Sequence, residues 1–553
     1  MTANPVSGIM SFGAPCALLV YLGALFVHGF FISPLRHIPG PWYTKLTGIE
    51  RKYYAWRHKE HHYFMRLFER YGPIVRVGPS KVGVGEISMF RKLMSSHEMT
   101  KSQMYTDFSA VGENIFTTRS PEFNKTRRRQ IGPAFAPAYV RRMEPLVRAA
   151  GIEQVCRLFD TQICAAKLEH GEGRPRALTN LYYAFTMMAT DVVSSLAYGR
   201  SFGAVDTLIA QAEAPLRLSE QNTPRQSQES AEDKQIAGFA AQETPQTVLE
   251  YMLGTMMLMG LMAEAPFIDK LPVRLLPAGI RTLYMLRDKF MRFSCATVAR
   301  YRAWMQGAEK LSGGRNDILS AYITARDPET GATLSDREIA SESTVLLAAG
   351  TDTTANLMVN CVRLLLRHPA KYARVRAELQ NAFPGGAATI GFLEAQVKLP
   401  YLNAVIYETM RLRASTSGVW PRDSPRRTGV TIGGYFVPPG VVICGSIGGV
   451  HMNPETWPQP KGFAPERFLG SHGELRKRNV VAFSAGIRVC PGRHLAMMEL
   501  TMALSTVLLK YELAPVDEPK HADYFDEVDE VCHITTTFRQ PERDCNFLIS
   551  HSS

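Results

Sequence analysis

The chain has 553 residues, a formal net charge of +12 and a sequence pI of about 9.2. Its nine cysteines are scattered and odd in number, without paired spacing, which argues against a disulfide framework and suits a reducing compartment. Basic clusters such as Arg127-Arg128-Arg129 come with no nucleic-acid motif. The charge is therefore read as solvated faces, an affinity for an anionic membrane surface, or a match to an acidic redox partner, and nucleic acid is set aside.

No Gly/Ser linker or break in composition divides the chain. We expect one large, mainly helical domain with small sheets, long enough to bury about three quarters of its unfolded surface and to enclose a cofactor. It begins with an apolar run, 14–32, interrupted only by His28. As a helix this run would span roughly 28 Å, near the thickness of a bilayer's hydrocarbon core. No Lys or Arg precedes Arg36, whereas Arg36, Lys45, Arg51 and Lys52 follow. That asymmetry favours an uncleaved transmembrane anchor, 1–33, over a removed signal peptide. It places the body, 34–553, on the cytosolic side. Pro39-Gly40-Pro41 stops the helix and stiffens the exit.

Helical spacing follows over 56–70, then two short strand patterns, 74–77 and 81–84, around Gly78-Pro79. Long amphipathic patterns cover 138–167 and 178–196. The stretch 219–246 is polar and reads as a loop or interrupted helix. The methionine-rich, apolar runs 248–263 and 266–277 suit either buried core or a lip against a membrane. Ile432-Gly433-Gly434-Tyr435-Phe436 signals a hairpin.

A long helical pattern over 335–367 opens on Ser335-x-x-Glu338, a capping box. Its middle reads Ala349-Gly350-Thr351-Asp352-Thr353-Thr354. Glycine inside a helix costs about 1 kcal/mol, and threonine hydroxyls compete for backbone carbonyls. Such a weak point is either a packing kink or a functional device. Chemistry that delivers protons to dioxygen in a dry pocket would use a small residue for room, an alcohol to hydrogen-bond and a carboxylate to relay protons. Gly350, Thr353 and Asp352 would supply these.

Further on, Glu408-Thr409-Met410-Arg411 sets opposite charges three apart on one helical face, and Pro465-Glu466-Arg467-Phe468 follows. Then comes Phe483-Ser-Ala-Gly486-Ile-Arg488-Val-Cys490-Pro-Gly492, a glycine-bounded loop before a helical run, 493–510. A lone cysteine can be a small buried apolar residue or, with His494, half of a zinc site that lacks its other ligands. As a ligand to haem iron a thiolate favours O–O cleavage. In that case Gly486 and Gly492 would permit close approach, Phe483 would keep water off the sulfur, and Arg488 would pair with an anionic group.

Phe483-x-x-Gly486-x-Arg488-x-Cys490-x-Gly492 resembles the haem-binding signature of the cytochrome P-450 family. The 349–354 run resembles the family's oxygen-activation segment. The resemblance extends from Arg36-His37-Ile38-Pro39-Gly40-Pro41-Trp42 to at least Phe538 and is in the style of fungal microsomal enzymes. It implies a mainly α cytochrome P-450 fold with small β-sheets, and haem b held with Cys490 as the axial iron ligand. By the same resemblance Thr353 and Asp352 are catalytic, and Glu408, Arg411 and Arg467 form a structural ion-pair network. Phe483, Gly486, Gly492, Arg488 and Arg128 contact the cofactor, Arg128 and Arg488 through the propionates. Arg422 is a weaker propionate candidate. The family places an aromatic residue or His four residues before Arg128; here Asn124 stands there. No dinucleotide fingerprint is present, so electrons are expected from NADPH through a separate cytochrome P-450 reductase, with cytochrome b5 as an accessory donor. The expected enzyme is a monooxygenase of the endoplasmic reticulum membrane. It would oxidise a moderately large apolar molecule in fungal secondary-metabolite biosynthesis, with loops 101–119, 416–419 and 534–537 facing the substrate. The alternatives are a haem-thiolate isomerase or dehydratase acting without O2, and a non-enzymatic haem sensor or carrier.

Overall fold

The structure is a computed structural model that describes residues 17, 19–108, 110–170, 176–219, 244–308, 315–516, 529–532 and 534–552. The chain divides into two compact units, each assembled from separated stretches. The first comprises Met1–Ser102, Gly418–Pro460 and Ser484–Arg488, and the second Gln103–Ser417, Lys461–Phe483 and Val489–Ser553.

The first unit is built on a sheet of four strands. Strands β1 (Ile74–Gly78) and β2 (Lys81–Val84) form the expected antiparallel pair, with Ile74 opposite Val84. The next three strands are β3 (Val419–Asp423), β4 (Val430–Ile432) and β5 (Tyr435–Val437), and β6 (Val442–Ser446) completes the set. β6 lies between β2 and β3, parallel to β2 with Lys81 opposite Val442 and antiparallel to β3. Buried on every residue of β1, this sheet packs on Tyr63, Phe64 and Leu67 from the helix Glu60–Tyr71. β4 and β5 are the expected hairpin, and its two-residue turn has Gly433 and Gly434 at φ of 56° and 81°, the left-handed pair that glycine adopts without strain.

The helical pattern over 56–70 is broken in the structure. One helix ends at Trp56 and another starts at Glu60, with His58 at φ 55° between them. Of the predicted span, residues 14–16 and 18 lie outside the described residues. From His28 the remainder winds into a π-helical turn, His28–Ile32, that stops at Ser33. The described part of the run is helical over 19–27 before that turn, and among the described residues no helix is long and apolar enough to cross a membrane.

The second unit is mainly helical. The helices that build its centre are α1 (Pro121–Ile131), α2 (Leu181–Tyr198), α3 (Pro245–Glu264) and α4 (Ala278–Ala308). They are followed by α5 (Asp336–Leu366), α6 (Pro400–Leu412) and α7 (Arg493–Lys510). α2, α3, α4 and α5 share one apolar cluster that includes Val193, Tyr198, Met252, Phe290 and Leu347. α5 starts as its sequence dictates, with a reciprocal capping box between Ser335 and Glu338. The pattern over 138–167 is interrupted by a π turn at Arg148–Ile152. The start of the 178–196 pattern is a strand, Ala177–Asn180, paired with the C-terminal strand Asn546–His551. The methionine-rich run is α3, with Val248, Met252, Leu258 and Met262 buried and Leu253 and Met257 exposed. Of the polar stretch, residues 220–243 lie outside the described residues.

Candidate active site

α5 is buried on either side of its middle. Ile339 to Val345 and Thr354 to Val362 are buried without a gap. Between them Leu346, Ala348, Ala349, Gly350, Asp352 and Thr353 keep accessible surface. The helix therefore opens at the segment its sequence marked as weak. Leu346, Ala349 and Thr353 follow one another at spacings of three and four, which puts them on one face.

The residue that makes room there is Ala349. Gly350, expected to do so, is turned toward α2, where a Cβ would lie 2.8 Å from Val193 Cγ2. Its missing side chain is a condition of close packing between the two helices. The Thr353 hydroxyl donates to the Ala349 carbonyl at 2.7 Å. With its proton so engaged, its oxygen remains free to accept. Asp352 is raised in pKa by burial, and no cation offsets the desolvation.

Ser415, the residue before the 416–419 loop, meets this segment, and the 534–537 loop lies beside it. Ser415 donates to the Thr353 carbonyl at 2.6 Å, and the Thr536 N–H donates to the Ser415 carbonyl at 2.8 Å. The Ser417 N–H donates to the Thr536 hydroxyl at 3.2 Å. Thr537 donates to the hydroxyl of Tyr182 on α2, whose pKa is pushed up to about 12 by burial and, secondarily, by Asp352. Neither Ser415 nor Tyr182 was singled out from sequence, because no local pattern joins residues so far apart in the chain.

Cys490 stands just before α7. Its N–H donates to the Phe483 carbonyl at 2.9 Å and closes the loop. The residue keeps an exposed surface, yet burial pushes its thiol pKa up, opposed by the Gly492 N–H and by Arg128 and Arg493. A cysteine with exposed surface and a desolvated thiol can take a ligand inside the protein. At Gly492 a Cβ would meet only the sulfur, at 3.9 Å, so the glycine leaves space beside it. At Gly486 φ is +60°, and a Cβ would collide with Ser95 Oγ, so local backbone and packing also call for glycine there. Arg488 sits half-buried on the 3₁₀ turn Gly486–Arg488, and Arg422 is buried in β3 beside Met94.

Arg128, on α1, donates to the Val489 carbonyl at 2.8 Å, one residue from the cysteine. Its Nε is buried without a partner, and so is the Asn124 Nδ2. Asn124 and Arg128 are four apart and share a helix face. Two unmet buried donors on that face suit an acidic group absent from the protein itself. The donors and the open sulfur fit haem with its propionates. Glu408, fully buried on α6, holds Arg411 in a fork with both bonds at 2.8 Å. It also takes Arg467 at 3.1 Å and the Ala464 N–H at 2.9 Å. The Cys490–His494 zinc alternative gains nothing, since no cluster of three or more metal-binding residues occurs among the described residues.

The sequence profile of the cytochrome P450 family matches residues 37–531, and the chain belongs to that family. It is an enzyme of the monooxygenase type, and the family implies haem iron as cofactor. The cytochrome P450 monooxygenase helB1 of Aspergillus fumigatus is 29% identical over 545 residues, 96% of this chain and 85% of the relative. The cytochrome P450 monooxygenase acrD of Aspergillus aculeatus is 26% identical, covering 92% and 90%. Among solved structures, the cytochrome P450DA heme domain aligns with a TM-score of 0.65 at 19% identity, covering 93% of this chain and 97% of that one. The cytochrome P450 CYP102L1 aligns with a TM-score of 0.68 at 19% identity, covering 89% and 98%. These two share the fold.

Proposed function

We propose that Cys490 supplies the thiolate that would hold the iron in a haem-dependent monooxygenase that oxidises a moderately large apolar molecule. Haem iron, when bound, supplies activation of dioxygen and transfer of one oxygen atom to the substrate. Arg128 and Asn124 would hold one propionate through their unmet donors, and by the family resemblance Arg488 would serve the other. Phe483 shields the sulfur, and Gly492 leaves space beside it. Thr353 accepts a hydrogen bond at Oγ1, and Asp352, protonated more readily than an exposed carboxyl, passes protons to it. Glu408, Arg411 and Arg467 hold the scaffold and touch no substrate.

Electrons come from NADPH through a separate flavoprotein reductase, with cytochrome b5 as a second donor. The net charge of +12 suits an acidic partner. The apolar run 14–32 anchors the enzyme in the endoplasmic reticulum membrane with the catalytic body in the cytosol. The exposed Leu19, Val20, Tyr21, Phe31 and Ile32 support this reading. The fungal relatives support a place in secondary metabolism.

The observation that carries the proposal is the Cys490 sulfur, open to a ligand yet desolvated. Cys490→Ser should abolish the red-shifted Soret band of the reduced carbonyl complex; a band unchanged in the variant would assign the iron to another ligand. Metabolite profiling of a deletion strain would identify the substrate as the intermediate that accumulates.

A further inference from the structure

Glu342 lies on α5, 2% exposed, and the oxygen chemistry has no use for it. It stands four residues before Leu346, seven before Ala349 and eleven before Thr353. On an α-helix these spacings put all four on one face, with Glu342 about 6 Å along the axis from Leu346. The face that opens at Leu346 and Ala349 is therefore closed, one turn earlier, by a buried carboxylate.

What closes it is the loop after Gln103–Phe108. The Ile115 N–H donates to both oxygens of Glu342, at 3.0 and 3.3 Å. Arg127 from α1 forms an ion pair with Glu342 at 3.3 Å and reaches Glu338, one turn earlier, at 2.7 Å. The carboxylate is thus fixed from one side by a cation and from the other by the loop's backbone. The loop is stiff in itself. The Asn114 side-chain oxygen accepts from the N–H groups of Phe116 and Thr117, each at 3.0 Å, and the Asn114 backbone N–H donates to the Thr117 hydroxyl. Phe116 is braced edge-on against Tyr105 with centroids 5.7 Å apart. A rigid loop needs few attachments to be positioned. Glu342 provides one in the middle of it, where Ile115 and Phe116 stay only half-buried.

We propose that Glu342 is a positioning residue for substrate selection. By holding the Ile115 backbone it sets Ile115 and Phe116 as the apolar wall at the head of the open strip of α5. Through that wall it fixes how large an apolar ligand the strip admits. The inference rests on the haem-monooxygenase reading, and two azoles separate the fates of the two. Imidazole is small and needs little beyond the iron, whereas clotrimazole is bulky and apolar and needs the walls. Both are read by the Soret shift of the purified holoenzyme.

In Glu342→Ala the clotrimazole Kd should weaken about tenfold or more, with the imidazole Kd within about twofold of wild type. Glu342→Gln keeps an acceptor for the Ile115 N–H and should restore clotrimazole binding to within about threefold. Clotrimazole binding untouched in Glu342→Ala, both azoles weakened alike, or Glu342→Gln as weak as Glu342→Ala would each overturn the proposal. No imidazole shift in wild type would instead overturn the haem reading. Should Glu342→Ala fail to hold haem, hydrogen exchange on the wild-type holoenzyme decides together with Glu342→Gln. A protected Ile115 amide that exchanges faster in Glu342→Gln supports the clamp. A wild-type amide exchanging as fast as an exposed one, or one unchanged by the substitution, sinks it.

Discussion

Two buried acids in the second unit are treated in opposite ways. Glu408 is saturated: a forked arginine, a second arginine and a backbone N–H all point at it. Asp352 carries only the cost of burial. A buried charge is tolerable when its lone pairs are met, so the Glu408 network can be rigid. A buried carboxyl with no cation beside it is held closer to its neutral form and can take or give a proton at modest cost. The first arrangement makes scaffold, and the second makes chemistry available.

Breaking the saturated acid should have the largest effect. Arg411→Ala leaves the Glu408 carboxylate buried and without its forked partner, a loss of about 3–5 kcal/mol. We expect little folded holoprotein, measured as the haem content of the soluble fraction. Normal haem loading would mean that the network is dispensable. A smaller effect is expected at the open helix. Thr353→Ala should keep haem while the share of NADPH consumption recovered as peroxide rises by about tenfold. Full coupling would remove the alcohol from the mechanism. Ser415→Ala removes only the donor to the Thr353 carbonyl, and a rise of about twofold is expected in the same assay. An effect equal to that of Thr353→Ala would give Ser415 a direct part.

What could be seen in the sequence was what lies close together along it. The loop of Cys490, the Ser335 capping box and the Gly433-Gly434 turn each need only a few consecutive residues, and each stands in the structure where the pattern put it. Gly350 shows the limit of such patterns. Its smallness was legible, but its direction was not, and the residue on the open face is its neighbour Ala349. Parallel pairing of β2 with β6 joins opposite ends of the chain, so no local signal announces a unit made of three separate stretches. Asn124 looked like a departure that weakened a propionate contact. The structure gives it a buried donor without a partner, which the family pattern alone could not supply.

Glu499 on α7 extends the contrast between met and unmet acids. It is 1% exposed, Oε2 has no partner, and burial raises its pKa to about 8. Because the folded value lies above the unfolded one, the fold favours the protonated form. That contribution is fully present below about pH 4.5 and is lost as pH rises through about 8. Glu499→Gln cannot ionise and escapes this loss. Exchanging the hydroxyl for an amide shifts stability by a constant amount at most, and a constant cancels when variant and wild type are compared across pH. The difference in their stabilities, read as a widening gap between their melting temperatures, should grow in favour of the variant from about pH 5 to about pH 8, by no more than about 1.4 kcal/mol per pH unit, and then level off. A difference that stays flat with pH would mean that water or a neighbouring group already satisfies this carboxylate, and the contrast with Glu408 would then rest on Asp352 alone.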